Sequence, residues 1–279
     1  MQKRFSVASY SFHGLHKLGA MSVFQYFETI RFRYQLDTAD VWNGMLLSYD
    51  EDYLKLVRQQ MDERGLRLAN LCCDWCQLWG YTPEEIQRQD AVAEDCLRAA
   101  EILGAETVRM DAGVREAAFT DEQLEAVSKK YDRYCQRAAG FGAKLGTENH
   151  WGATTNAEAL EQLFGAVSAK NFGILLHVGN WANTQGMTKD PTDARAFAYD
   201  NQFASRAFHI HMMYEVCRQA EERFPALAAA GYPGVWSIES HLSTNEFNNV
   251  AYQLAEARRV LAPCDYAAFP PQTIPTGAK

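Results

Sequence analysis

Four short segments of the chain end in closely spaced acid and imidazole groups: Glu148-Asn149-His150, His177-Val178-Gly179-Asn180, His209-Ile210-His211 and Glu239-Ser240-His241. Five of the seven histidines fall in them. In three of these segments the groups are spaced two residues apart. On extended backbone Glu148 and His150, His209 and His211, and Glu239 and His241 therefore project to the same side. One histidine in such a place is ordinarily just a hydrogen-bonding residue. Several carboxylates and imidazoles brought together are costly to bury unless something compensates their charge and lone pairs. A divalent cation does that, so the cluster is read as a metal site.

Such convergence needs elements that deliver consecutive strand ends to one place. The strand candidates are Phe5–Tyr10, Thr38–Trp42, Arg67–Cys72, Thr107–Met110, Lys144–Glu148, Gly173–His177, Ala207–His211 and Val235–Glu239. Helical patterns alternate with them over Met21–Tyr34, Tyr49–Arg64, Pro83–Leu103, Asp121–Phe141, Asn156–Ala169, Pro191–Phe203, Glu215–Ala230 and Phe247–Leu261. Gly65 and Gly104 supply stop signals, because glycine tolerates the left-handed conformation just past a helix end. Thr82-Pro83-Glu84-Glu85 is a start signal, with a capping hydroxyl, a proline suited to the first turn and two carboxylates at the positive end of the dipole.

Eight such alternations fit a closed (β/α)8 TIM barrel or an open doubly wound sheet. No Gly-x-Gly-x-x-Gly follows the first strand and no phosphate loop occurs, which weakens the open sheet, and the count of eight favours the barrel. A barrel takes about 250 residues, so the 279 residues predict one domain over 1–262. The proline-rich tail over 263–279 reads as an extended surface segment. In a barrel the active site lies at the C-terminal ends of the strands, which is where all the groups above fall.

Composition narrows the partners. There are 27 Lys and Arg against 35 Asp and Glu, a net charge of −8, so no basic footprint for nucleic acid exists at chain level. No apolar run approaches the ~20 residues that span a bilayer, and no apolar stretch follows Lys3 and Arg4 to make a signal peptide. The seven cysteines are odd in number and scattered, which suits a reducing cytoplasm.

The chain resembles the xylose isomerase-like superfamily, also called the sugar phosphate isomerase/epimerase family, over nearly its whole length. The resemblance is carried by Thr147-Glu148-Asn149-His150, Leu176-His177-Val178-Gly179-Asn180, His209-Ile210-His211 and Gly231-Tyr232-Pro233-Gly234 leading to Ser237-Ile238-Glu239. Ser9-Tyr10-Ser11-Phe12 and Val108-Arg109-Met110-Asp111 also fit. It implies one divalent metal held by Glu148, His177, His211 and Glu239. The sequence departs from the family at His177, where aspartate is usual. The nitrogen-rich set shifts the expectation from Mg²⁺ toward Mn²⁺, with Co²⁺, Fe²⁺ and Zn²⁺ as further candidates. A second departure follows the seventh strand, where Met212-Met213-Tyr214-Glu215 passes almost directly into a helix instead of a Gly-Glu-Gly loop.

What the resemblance implies is proton transfer beside a carbonyl of a carbohydrate, through a metal-stabilised enediolate. Glu148 and Glu239 are the expected acid and base, and His150 is a further catalytic candidate. His241, Arg109, Trp42 and Trp181 are candidates for substrate contact; Arg109 would grip a hydroxyl or phosphate, or pair with Glu148. Trp42, Trp75, Trp79, Trp151 and Trp181 all follow strands, where aromatic faces stack on sugars or simply fill space under loops. His13 is placed at the mouth and His16 on the surface. Cys73-Asp74-Trp75-Cys76 reads as pocket wall or core in preference to a redox or metal pair. The other reading is a lyase or dehydratase on keto-sugars or 3-keto-glycosides, as in C-glycoside-cleaving enzymes whose barrel works with a small partner chain. A homo-oligomer and a non-catalytic barrel that has lost its metal through His177 are the remaining alternatives. An abasic-site endonuclease, which would need about three metals, is disfavoured by the acidic charge.

Overall fold

The structure, a computed structural model, describes residues 4–262. The predicted tail over 263–279 lies outside the described residues. Eight strands alternate with helices along the chain: β1 Phe5–Val7, β2 Thr38–Trp42, β3 Arg67–Cys73, β4 Thr107–Met110, β5 Lys144–Glu148, β6 Phe172–His177, β7 Ala207–Met212 and β8 Val235–Ile238. They form one parallel sheet in the order β1-β8-β7-β6-β5-β4-β3-β2. The two end strands, β1 and β2, meet through a single parallel bridge from Ala8 to Asp40, so the sheet curls into a nearly closed (β/α)8 barrel.

The helices form where caps and stops predict them. Over Pro83–Leu103 the Thr82 hydroxyl accepts the Glu85 N–H at 3.2 Å, and Gly104 ends the helix at φ +69°. Glu51–Glu63, Asp121–Ala139, Ala157–Ala166 and Ala194–Phe203 occupy their predicted segments with trimmed ends, and Glu246–Leu261 starts one residue ahead of its predicted bound. The segment 194–203 starts later than the sequence suggests because Asp193 caps it, accepting the Arg195 N–H at 2.8 Å. The segment read as one helix over 215–230 is two, Tyr214–Cys217 and Ala220–Ala229. Likewise Met21–Tyr34 is an α-helix over Val23–Glu28 followed by a wider turn over Thr29–Arg33. The strand predicted to run to Tyr10 stops at Val7, and Ser9–Phe12 coils into a 3-10 turn as the Ser11 N–H closes on the Ala8 carbonyl at 2.9 Å.

The seam between β1 and β2 is stitched by side chains. Buried Tyr26 inserts its hydroxyl there, donating to the Val7 carbonyl at 2.6 Å and accepting the Asp40 N–H at 2.9 Å. The Trp42 N–H donates to Ser9 Oγ at 2.8 Å. One phenol thus stands in for a missing stretch of ladder and fixes Asp40, while Ser9 fixes Trp42, at the edge of the barrel mouth. Removing it in Tyr26→Phe strands a buried donor and acceptor, and about 1–3 kcal/mol of stability is the expected loss. Urea unfolding measures this, and a variant as stable as the parent would refute the seam account.

Candidate active site

Consecutive strands deliver one group each to the C-terminal mouth. Glu148 ends β5, His177 ends β6, His211 lies near the end of β7 and Glu239 follows β8. Ligand-capable atoms of these four residues all lie within 4.8 Å of one another, and all four are buried. His177 Nδ1 is 2.9 Å from Glu148 Oε1 and 3.6 Å from Glu239 Oε2, while His211 Nδ1 is 3.2 Å from Glu239 Oε2. His177 Nε2 is buried without any partner, and His211 Nδ1, though 3.2 Å from Glu239 Oε2, is not aligned for a hydrogen bond. Two carboxylates, two imidazoles and unpaired ring nitrogens are the donor set a divalent cation takes, so the four residues predicted as ligands can hold one.

Asp40, on β2, organises this cluster from below and is absent from the sequence-based candidates. Its Oδ2 accepts from His211 Nε2 at 2.9 Å, His209 Nε2 at 2.8 Å and Ser237 Oγ at 2.6 Å, and its Oδ1 accepts from Asn70 Nδ2 at 3.0 Å. With Nε2–H given to Asp40, the His211 lone pair sits on Nδ1, facing the cluster. This is the carboxylate–histidine arrangement that orients a metal ligand. His209, predicted to project to the same side as His211, also reaches Asp40 Oδ2 but takes no place in the four-residue cluster. The signal for Asp40 was a lone acid in the otherwise uncharged strand Thr38–Trp42. Asn149 clamps His177 from the other side: its Oδ1 accepts the His177 N–H at 2.7 Å and its Nδ2 donates to the His177 carbonyl at 2.9 Å. Asn180 returns the favour, donating to the Asn149 carbonyl at 2.6 Å.

Above the cluster lies a cleft of about 100 Å³, partly open to solvent, whose wall includes Tyr10, Trp42, Asp74, Arg109, His150 and His241. His241 Nε2 is 3.0 Å from Glu239 Oε2, and His150 Nδ1 is 3.0 Å from Asp111 Oδ2 and 4.0 Å from Glu148 Oε2, so each carboxylate of the cluster has an outer histidine near it. Arg109 is 2.9 Å from Glu148, which is the pairing alternative foreseen for it. Trp42 faces the cleft as predicted. Trp181 does not: its indole is fully buried, donates to Asp200 Oδ1 at 2.8 Å and stacks on Phe203, and so supports the loop after β6 instead of meeting substrate. His16, predicted on the surface, is half-buried, with the Met21 and Gly44 carbonyls holding its ring at 2.8 and 3.1 Å. His13 stacks on Tyr10 beside the mouth. Cys73 and Cys76 are buried core thiols, whereas Cys72 reaches the cleft floor.

The charges are ordered by their neighbours. Burial disfavours an ionised Glu148, yet His150, Arg109 and His177 outweigh it and hold the carboxyl well below its usual range. Glu239 is held down likewise by His211 and His241, and Asp40 by His209 and His211. Burial keeps His177 on the neutral side. Against burial, Glu148 and Asp111 push His150 up to about 9. Burial also opposes charge on His211, but Glu239 and Asp40 raise it well above the ordinary imidazole value.

Fold and cluster together define an α/β barrel with a buried acid–imidazole site able to take a divalent cation. The chain matches the xylose isomerase-like TIM barrel family over residues 17–264 and belongs to it. Among solved structures it is similar to a xylose isomerase domain protein from Planctomyces limnophilus, with a TM-score of 0.70 and 14% identity, covering 94% of this chain and 99% of that one. It is similar to the 3-keto-D-glucoside 4-epimerase of E. coli, with a TM-score of 0.70 and 14% identity, over 92% of this chain and 99% of that one. It is also similar to a D-psicose 3-epimerase determined in the presence of D-fructose, with a TM-score of 0.67 and 14% identity, over 93% and 97% of the two chains. At such identities the likeness establishes the fold, and function has to be argued from the site. No curated protein matches the sequence. No helix among the described residues is long and apolar enough to cross a membrane.

Two measurements test the cluster. Asp40→Asn removes the orienting charge behind His211, and Mn²⁺ affinity by titration calorimetry should fall by roughly 10–100-fold; an unchanged affinity in the folded variant would remove Asp40 from the site. Proton and cation also compete for His211 Nδ1. Because its neighbours favour the protonated ring to well above the ordinary value, Mn²⁺ affinity should climb as pH rises, by up to about tenfold per pH unit for each proton displaced. A flat profile through neutral pH would show that His211 is not a ligand.

Proposed function

We propose that this chain is a divalent-metal-dependent isomerase or epimerase that moves a proton at the carbon next to a carbonyl of a carbohydrate. The observation that carries the reading is the pairing of Glu148 and Glu239, delivered from β5 and β8 to one cleft, each held ionised and each with an outer histidine beside it. Relatives in fold named 3-keto-D-glucoside 4-epimerase and D-psicose 3-epimerase support it. Glu148, His177, His211 and Glu239 hold the ion, and two nitrogen donors make Mn²⁺ the expected one, with Co²⁺, Fe²⁺ and Zn²⁺ next and Mg²⁺ less suited. When bound, the ion supplies Lewis-acid stabilisation of the charge that develops as the α-proton leaves.

The side chains do the rest. One carboxylate takes the proton from carbon, and the electron pair moves into the carbonyl to give an enediolate. The other carboxylate, itself ionised at rest, passes on the proton of the histidine beside it, to the opposite face of the same carbon for epimerisation or to the adjacent carbon for isomerisation. A carboxylate engaged with a cation is a weaker base, so His150 and His241 move protons between these groups and the substrate hydroxyls. Tyr10 and Trp42 offer aromatic faces to the C–H face of the ring.

A second reading is favoured by one observation. His150, pushed up to about 9, carries a proton at neutral pH and can hand it to a departing oxygen. The same enediolate would then expel a leaving group, making the chain a lyase on keto-sugars or 3-keto-glycosides, alone or with a small partner chain.

Incubation of the Mn²⁺-loaded protein with a panel of ketoses in deuterated water tests both. Isomerase or epimerase action places deuterium on a carbon beside the carbonyl, and Glu148→Gln or Glu239→Gln should each slow it by roughly 10²–10⁴-fold. A lyase instead releases water or an aglycone and accumulates an unsaturated product. Silence in both assays from a protein that binds no metal would leave the non-catalytic barrel.

A further inference from the structure

The wall of the cleft built by the ends of β2, β3 and β4 bears on the charge of the substrate, given the proposed sugar chemistry. Arg109 is the one Lys or Arg side chain lining the cleft among the described residues, and it faces four lining carboxylates, Asp40, Asp74, Glu148 and Glu239. Asp40 serves the histidines, and Glu148 and Glu239 are assigned to the ion. Asp74 has no such duty. It lies in the loop after β3 with its side chain 27% exposed, whereas that of Arg109 is 5% exposed.

Asp74 is nevertheless tightly held. Its Oδ1 accepts from Arg109 Nη1 at 2.8 Å and its Oδ2 from Trp42 Nε1 at 2.7 Å. Asn43 fixes its backbone, accepting the Asp74 N–H at 2.9 Å and donating to the Asp74 carbonyl at 3.1 Å. Arg109 is also 3.2 Å from Asp111, 2.9 Å from Glu148 and 3.2 Å from the Cys73 carbonyl. A guanidinium shared among three carboxylates cannot neutralise a phosphate as well. The other place where such barrels hold phosphate is the loops after the seventh and eighth strands. Residues 213–219 and 239–246 contain Glu215, Glu239 and Glu246 and a single Lys or Arg, Arg218, which is exposed and lies near Tyr252 of the last helix, and it does not line the cleft.

We propose that Asp74 is a specificity-determining residue: by locking Arg109 and Trp42 at the mouth and adding its own negative charge, it restricts the site to uncharged polyhydroxy carbonyl compounds and turns away phosphorylated ones. Its exposed edge is left to accept substrate hydroxyls, and the indole it orients is left to stack. This rests on the proposed sugar chemistry, which can fail separately.

The test is calorimetric binding of free ketohexoses, the same ketohexoses as their phosphates, and inorganic phosphate to Mn²⁺-loaded protein. A free sugar should bind at least about tenfold more tightly than its phosphate, since like-charge juxtaposition is strongly unfavourable. Asp74→Asn keeps the shape, removes the charge and loosens Arg109, so it should narrow that ratio by about tenfold or more, while Asp74→Glu should keep it. A merely structural role would weaken both ligands together and leave the ratio alone. A phosphorylated sugar binding as well as or better than its free form, or a ratio unmoved in Asp74→Asn, overturns the role of Asp74 and leaves the sugar chemistry standing. If nothing binds, free or phosphorylated, and no deuterium exchanges, the functional reading falls and this one with it.

Discussion

A carboxylate sealed from solvent at the barrel seam, Asp40, is the constraint on which fold and site both turn. Burying an ionised group costs several kcal/mol unless it is paired and its lone pairs are filled. Here four side-chain donors fill them, from β3, β7 and β8: Asn70, His209, His211 and Ser237. The sheet pairs β2 only with β3, so the contacts to β7 and β8 cross the interior where the ladder is thinnest. The backbone of Asp40 is meanwhile tied to β1 through Tyr26 and the bridge to Ala8. Closure of the barrel and orientation of His211 are therefore one interaction seen from two ends.

Above Asp40 the charges are stacked in tiers. Each acid meets an imidazole or the guanidinium: Asp40 with His211, His211 with Glu239, Glu239 with His241, and on the other side Arg109 with Glu148. Each group fixes the protonation of the next, so Glu148 and Glu239 stay ionised in surroundings that alone would neutralise them. The outer histidines differ from the inner ones in exposure, His241 having half of its side chain in solvent against 1% for His177 and His211. That gradient separates the groups able to hold an ion from those able to exchange a proton with water or substrate.

Much of this was legible in the sequence, for identifiable reasons. The helix over Pro83–Leu103 carried its own cap and stop, and its bounds, like those of β2, β4 and β5, agree with the structure residue for residue. The strand ends after β5 to β8 were legible because polar residues there have no reason to follow a buried apolar run except the site. What failed depended on long-range partners. Trp181 follows a strand as Trp42 does, and only Asp200, 19 residues on, draws it into the core. Asp40 and Asp74 look like ordinary acids until strands and loops far apart in sequence supply their donors. The break at residues 218–219 and the early end of β1 left no local signal.

The substitution at His177 is where sequence and structure pull together most closely. Replacing the aspartate that the resemblance leads one to expect by an imidazole lowers the formal charge of the four proposed ligands from −3 to −2, leaving the two glutamates as the only anions among them. A carboxylate at that position would lie against both Glu148 and Glu239, since His177 Nδ1 is 2.9 and 3.6 Å from them. Three buried anions in such contact would need the cation merely to be tolerated. With a neutral ring there, His177 Nδ1–H donates to Glu148 and no third anion lies against Glu239, while the unpaired Nε2 is left for an ion. Asn149 then fixes the strand end at that residue through both of its backbone groups. A site built this way trades Coulombic pull on a hard cation for pre-organisation and softer donors, which is the physical reason to expect Mn²⁺ ahead of Mg²⁺.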